Sequence, residues 1–322
     1  MNSSYQKLKR YEKLLKYSII LISTIIVFVP LYKSYKHRIA AKGFIISEES
    51  VNLGMLHPKY EAKTSNNKLF KINAYKSLNQ NENKTIFYKI NGNMKSENRK
   101  KINFSSSQGV YDKRLLNISF TEGVKFFSKD EGFELNSNRA LYLLKEGFIS
   151  GSQDIDFANY MGRFRAEEYN VSLADKSYVF YNNIIFIAND INKTVIESQK
   201  MVVSDANNVI EVEDEAQYKD YRMVLTSDRF ISFYKKDNSE KISIEKVIAS
   251  GNVKILHESS VIVGNRAMLY PDKDIVEIMG DVIFEKEENV IKGEKIIYDI
   301  KNESFRVLQG KKNKVNLQLK HE

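Results

Sequence analysis

The chain has 322 residues, 50 basic against 41 acidic, a formal charge of +9 and no cysteine. That length allows two domains with ample core, and the missing cysteine excludes disulfides, thiol nucleophiles and cysteine metal sites. Nine of the basic residues and one acid lie in 1–42, so the remainder is close to neutral and no basic surface for nucleic acid is implied.

Tyr17 to Tyr32 is an uncharged apolar stretch flanked by Lys13, Lys16, Lys33 and Lys36. It is short against the roughly 20 residues that span a bilayer, but snorkelling lysines and interfacial tyrosines make up the difference. The rival reading is a cleaved signal peptide, which needs a small-residue cleavage site after the apolar core. Lys33-Ser-Tyr-Lys-His-Arg38 follows instead. The reading is a single transmembrane helix over 17–32, preceded by a cytoplasmic basic tail over 1–16, with the large C-terminal region outside.

In 39–100, Asn79–Lys84 and Glu97–Lys101 read as polar turns around a strand at Thr85–Ile90. Tyr60–Thr64 and Lys68–Ala74 are expected to pair. From Ile102 onwards a two-residue period dominates. Leu116, Ile118 and Phe120 alternate with Asn117 and Ser119, Phe133 and Leu135 with Glu134 and Asn136, and Ile210 and Val212 with Glu211 and Glu213. Such alternation means antiparallel strands with one buried face. The abundance of aromatic residues, 19 Tyr and 18 Phe, and only three prolines suit long strands. No helix is expected after the anchor.

A repeat overlies this pattern. Gly251 to Gly280 is 29 residues and Gly264 to Gly293 is again 29, a period that signals stacked units. Each unit reads as two strands, the second opened by a small residue and two polar ones. That opening recurs at Ser107, Ser137, Ala166, Ser198, Ser227, Gly264 and Gly293. The intervals are near 30 except for 37 between Ser227 and Gly264, where the charged run Lys235–Lys241 reads as a longer hairpin loop. Glycines at strand openings fit bulges or sharp bends.

Little here suggests bond chemistry. His37 is juxtamembrane, His57 precedes a proline, His257 lies in a turn and His321 is penultimate, with no metal-spaced pair among them. Glu213-Asp-Glu215 reads as a solvated acidic turn, and no phosphate loop or nucleophile elbow occurs. The chain is read as a non-enzyme without cofactor or metal.

Ser106 to Phe126, Leu135 to Leu143 and Met161 to Val171, together with the anchor, resemble the LptC family, the membrane-anchored periplasmic subunit of the lipopolysaccharide exporter. Val195 to Val203, Ile248 to Ile255 and Gly280 to Tyr298 resemble the LptA, or OstA-like, family of the same pathway. The resemblance divides the chain into an LptC-like β-jellyroll over 39–188, an LptA/OstA-like β-jellyroll over 189–312 and a polar tail over 313–322. It implies an all-β fold, a long open β-jellyroll of two splayed antiparallel sheets built from stacked hairpins, with lipopolysaccharide acyl chains in the groove between them. The implied place is the inner membrane, single-pass, with the large region in the periplasm. The implied partners are the inner-membrane Lpt ABC transporter at the N-terminal edge and anchor, and another OstA-like unit or the outer-membrane translocon at the C-terminal edge, near Glu303–Leu308.

Alternation supplies candidate groove residues: Leu116, Ile118, Phe120, Val124, Phe126, Phe133 and Leu135 in the first half, and Val253, Ile255, Val282 and Phe284 in the second. The LptA resemblance adds Thr194, Ile196, Val203 and Leu269. Each is equally consistent with ordinary core packing. Arg139, Arg229 and Arg266, two residues after a repeat's small residue, are candidate contacts for lipid phosphates at the groove rim or solvated pairing residues. The competing reading of the whole chain is a membrane-tethered structural β-solenoid, a spacer or adhesin, with a closed core and no lipid.

Overall fold

The computed structural model describes residues 53–63, 69–95, 100–173, 175–236, 241–287, 289–308 and 316–318. The expected anchor at 17–32 and the tail at 1–16 lie outside the described residues. Among those described, no helix is long and apolar enough to cross a membrane.

Four short strands come first: β1 (Leu53–Leu56), β2 (Lys59–Lys63), β3 (Leu69–Asn73) and β4 (Lys76–Asn79). Six long strands follow: β5 (Lys84–Lys95), β6 (Lys101–Asp112), β7 (Asn117–Ser128), β8 (Phe133–Leu143), β9 (Phe148–Asn159) and β10 (Gly162–Ser172). Next come β11 (Ser177–Ala188), β12 (Val195–Ser204), β13 (Val209–Lys219), β14 (Val224–Lys236), β15 (Ile242–His257) and β16 (Ser260–Tyr270). The series closes with β17 (Ile275–Lys286), β18 (Asn289–Asp299), β19 (Ser304–Leu308) and β20 (Asn316–Gln318). The only helical element among the described residues is the 3-10 turn Pro271–Lys273.

All twenty strands belong to one sheet, and from β5 to β19 each pairs antiparallel with the next. This corrects the expectation of two separate sheets. The two layers are halves of the same strands, because every pair of neighbours from β6 to β18 has a register shift near mid-strand. The register shows this directly. In β7, Asn117–Thr121 pairs with residues 139–143 of β8, and Val124–Ser128 pairs with 133–137. One wing therefore holds the residues near 117–121 and 139–143, and the other those near 124–128 and 133–137.

The bend has a local cause. At the same place in six alternate strands, two consecutive residues have left-handed φ: Glu122-Gly123, Gln153-Asp154, Asn182-Asn183, Asp214-Glu215, Gly251-Asn252 and Gly280-Asp281. Each pair contains at least one Gly, Asn or Asp, the residues for which this conformation costs least. Gly251 and Gly280 thus sit in the middle of strands rather than at their openings, and the acidic Glu213–Glu215 run is a strand bend. On the neighbouring strands the small residues are needed for a second reason. Ser106 Oγ lies 2.8 Å from Thr121 O and 2.9 Å from Gln108 O, while Ser137 and Ser227 each donate to the carbonyl two residues on, at 3.0 Å. A buried hydroxyl thereby satisfies main-chain acceptors that the bulge releases from the ladder. Ser106, which is buried, is the repeat's small residue; Ser107 is exposed, so the sequence register was one residue late there.

The 37-residue interval also departs from expectation. Its flanks are strand: β14 runs on to Lys236 and β15 begins at Ile242, with a second bulge where Phe233 faces Lys246 and Tyr234 faces Ile244, while 237–240 of the expected loop lie outside the described residues. Tyr234, Ile242 and Ile244 are buried in the common core. At the N-terminal end the pairing expected between residues 60–64 and 68–74 is present as β2 with β3. The division placed at 188/189 falls in the turn between β11 and β12, and those strands pair from Ser177↔Ser204 to Ile187↔Val195, so the ladder runs on through it.

Candidate functional site

The candidate site is the space between the wings. Alternation turns every second side chain inwards, and the bend does not disturb this. In β7, β11, β13 and β17 the buried positions on either side of the left-handed pair stay four residues apart, as with Phe120 and Val124 or Phe180 and Ile184. Inward-facing residues of both wings therefore form one contiguous apolar cluster from Phe70 to Ile300.

Of the candidate groove residues, Ile118, Phe120, Val124, Phe126, Phe133, Leu135, Ile196, Val203, Val253, Ile255, Leu269, Val282 and Phe284 all join this interior cluster. Leu116 does not: it occupies the turn before β7 with φ 49°, partly exposed, because the strand starts one residue later. Thr194 is fully buried but belongs to a polar turn, where its hydroxyl donates to Asp190 Oδ2 at 2.6 Å and its amide to Asp190 Oδ1 at 2.9 Å. Arg139, Arg229 and Arg266 are exposed at the bend, and Arg229 donates to Ser250 Oγ. The bend is the edge away from the hairpin turns, so they do not line the mouth.

The interior is packed, and its richest part was not among the candidates. Phe164 stacks on Phe180 at 4.9 Å and on Phe186 at 4.2 Å between ring centroids, and Phe157 joins them through Phe164 and Tyr178. Phe104, Phe120, Phe126 and Tyr142 form a second chain of rings across the wings at 5.4 to 5.8 Å. Burying each such ring contributes about 2–3 kcal/mol, with a further ~1 kcal/mol for favourable ring pairs. Alternation marks these positions inward; nothing local marks which rings from different hairpins meet. His257, placed in a turn by the sequence reading, ends β15 and is buried, with Nδ1 2.8 Å from the Tyr298 hydroxyl of the facing wing.

Opposite the bend, the hairpin turns of the two wings meet along a mouth, and among the described residues polar side chains of these turns clasp across it at three places. In the first, the Tyr160 hydroxyl of one wing donates to Asp205 of the other. Asp205 also accepts from Tyr234 at 3.0 Å and from Lys236 at 2.8 Å, and the Lys236 ammonium lies 4.3 Å from the Tyr160 ring centroid. Burial alone would push the Asp205 carboxyl up, but Lys236 and the two tyrosine hydroxyls hold it below the ordinary carboxylate value. In the second, Arg222 reaches across to Asp274 while also binding Asp220 at 2.6 Å. Burial works against the Arg222 charge, and Asp220 and Asp274 together offset it, so its pKa is raised. In the third, Lys286 pairs with Glu303 at 2.6 Å. The lengthened end of β14 and β15 is thus a strap carrying Tyr234 and Lys236 to the far wing.

Both ends of the ladder are unpaired edges among the described residues. β1 and β2 form the first, with Met55 57% and Leu56 70% exposed; β19 and β20 both pair with β18 and form the last, with Phe305 42% exposed.

These features define a class: an antiparallel ladder of bent strands that encloses an apolar interior between two wings. Residues 195–304, about a third of the chain, match the family model described as LptA/(LptD N-terminal domain) LPS transport protein. The match supports an OstA-like domain of the lipopolysaccharide-transport type over that segment. Among solved structures the chain is similar to LptH, titled the LptA homologous periplasmic component of the conserved lipopolysaccharide transport device from Pseudomonas aeruginosa. The identity is 13% over 40% of this chain and 95% of that one, with a TM-score of 0.35, too loose a likeness to carry an argument. No curated protein matches.

Proposed function

We propose that the chain is a periplasmic bridge component of lipopolysaccharide export, anchored in the inner membrane by residues 17–32. The observation that carries this reading is the family-model match over 195–304, set in a ladder whose apolar interior runs on without a break into the preceding strands. In this reading the LptC-like part, up to residue 188, and the OstA-like part share one covalent sheet. Acyl chains travel between the wings while the sugars stay outside. The partners are the inner-membrane ABC transporter at the β1/β2 edge, and an OstA-like unit or the outer-membrane translocon at the β19/β20 edge. Exposed apolar side chains on unpaired edges suit strand addition, and would otherwise invite aggregation. The mechanism is transfer by binding, without bond chemistry or cofactor. Each methylene kept from water is worth about 0.8 kcal/mol, so a multi-acylated lipid crosses an aqueous gap only along a continuous apolar path.

The filled interior favours one other reading. Because the cluster between the wings is almost wholly buried, a tethered structural spacer with a dry core fits it as well. Lipid entry requires the wings to part. In-cell photo-cross-linking separates the two. Probes go at the inward Phe126 and Ile196, with the outward neighbours Lys125 and Glu197 as controls. Lipopolysaccharide adducts at the inward pair alone, during active export, are the expected result. Adduct-free inward probes under active export would leave the spacer.

A further inference from the structure

Near the first clasp the mouth is not sealed. An opening of about 360 Å³ lies between the turn joining β7 to β8, the turns on either side of β10 and the strap. That volume falls at the small end of ligand sites. Its floor is apolar. Phe133 and Tyr178 line it, and both touch Phe157, at 6.1 and 5.0 Å between centroids, at the head of the Phe164–Phe180–Phe186 stack.

Its walls carry four lysines and three carboxylates. Lys100 is engaged by Glu131 at 3.0 Å and Lys236 by Asp205 at 2.8 Å, while Asp130 accepts the Lys101 amide at 2.8 Å. Lys129 and Lys176 remain, both exposed and without a carboxylate partner among the described residues. Asn159 lines the same wall, its Oδ1 accepting from the Met161 amide at 2.9 Å. Two exposed ammonium groups without a carboxylate partner, above an aromatic floor, match an anionic head with an apolar chain below it.

We propose that this opening is a headgroup site, in which Lys129 and Lys176 hold the phosphate of an anionic amphiphile whose chain enters between Phe133 and Tyr178. The proposal rests on the lipid-carrying reading and adds to it a place of entry and a preferred head. No group is transferred.

The test is calorimetric binding to the full-length chain, using a monoacylglycerol phosphate, the matching neutral monoacylglycerol and glycerol phosphate. The expected result is at least tenfold tighter binding of the phosphorylated amphiphile than of the neutral one. The Lys129→Gln/Lys176→Gln double variant is expected to lose that preference and keep its affinity for the neutral compound. Both lysines are exposed, so the fold should tolerate the change. Equal binding of the two amphiphiles by the wild type, or a preference that survives in the double variant, overturns the headgroup site and leaves lipid carriage standing. Glycerol phosphate binding as tightly as the amphiphile overturns it in favour of a free-phosphate site. Failure of both amphiphiles to bind overturns the headgroup site and leaves lipid carriage to the cross-linking at Phe126 and Ile196.

Discussion

Asp205 concentrates the chemistry of the mouth. It is nearly buried, yet three side chains from two wings converge on it. Its folded pKa lies below the ordinary value, so its contribution is present above the unfolded carboxylate range, near pH 4, and is lost as pH falls through the folded pKa. Asp205→Asn is expected to cost about 1–3 kcal/mol at neutral pH, since it weakens the acceptor that the buried Tyr234 and the half-buried Tyr160 share, while the exposed Lys236 adds little. It is also expected to flatten the acid limb of the thermal stability profile below about pH 4. A melting series from pH 3 to 7 checks both. An unchanged acid limb in the variant would show that other carboxylates dominate it. The sequence did not single out Asp205: it is one acid in a polar turn, and its partners come from positions 29 to 45 residues away.

Among the elements, the strap formed by the ends of β14 and β15 shows how an irregular repeat becomes a device. Extra residues in a hairpin of ordinary register would project into solvent. Here the second bulge, with Glu245 as the extra residue, re-aims the ladder so that Tyr234, Ile242 and Ile244 face the core. In the proposed lipid-carrying reading entry requires parted wings, so tying the strap down should stop it. Tyr160→Cys with Lys236→Cys, bridged by a short bismaleimide, is a clean lock in a chain without cysteine. The bridged protein is expected to lose at least tenfold in lipid loading, measured by adduct yield at Ile196, while each single variant treated alike loads normally. Undiminished loading of the bridged protein would mean that lipid enters elsewhere. The 37-residue interval was legible in the sequence; its outcome was not, because a bulge in one strand is decided by what the strand beyond it can bury.

On the scale of the whole ladder, the main fact is continuity. With fourteen long strands and split rows at either end, the ladder measures roughly 75 Å across at ~4.8 Å per strand. No break in pairing separates its two parts at 188/189. Phe186 lies two residues before that division and stacks on Phe164. Phe186→Ala is expected to cost about 3–5 kcal/mol and to lower amide-exchange protection in β10 and β11 on one side and in β12 and β13 on the other. Loss confined to β10 and β11 would instead mark two independent domains. A repeat stack transmits such damage to its neighbours because each hairpin buries its face only against the next.

The sequence by itself determined the all-β class, the 29-residue hairpin period and the inward set of side chains. Two-residue alternation is a local property, and each left-handed pair keeps its parity, so Phe120 and Val124 read inward from the chain alone. Tertiary structure decided that one bent sheet replaces two, that Leu116 and Thr194 leave the apolar face, and that the wings meet on aromatic rings and close with clasps at Asp205, Arg222 and Lys286. These depend on contacts between hairpins distant along the chain. Local pattern fixes which way a side chain points but not which partner stands opposite.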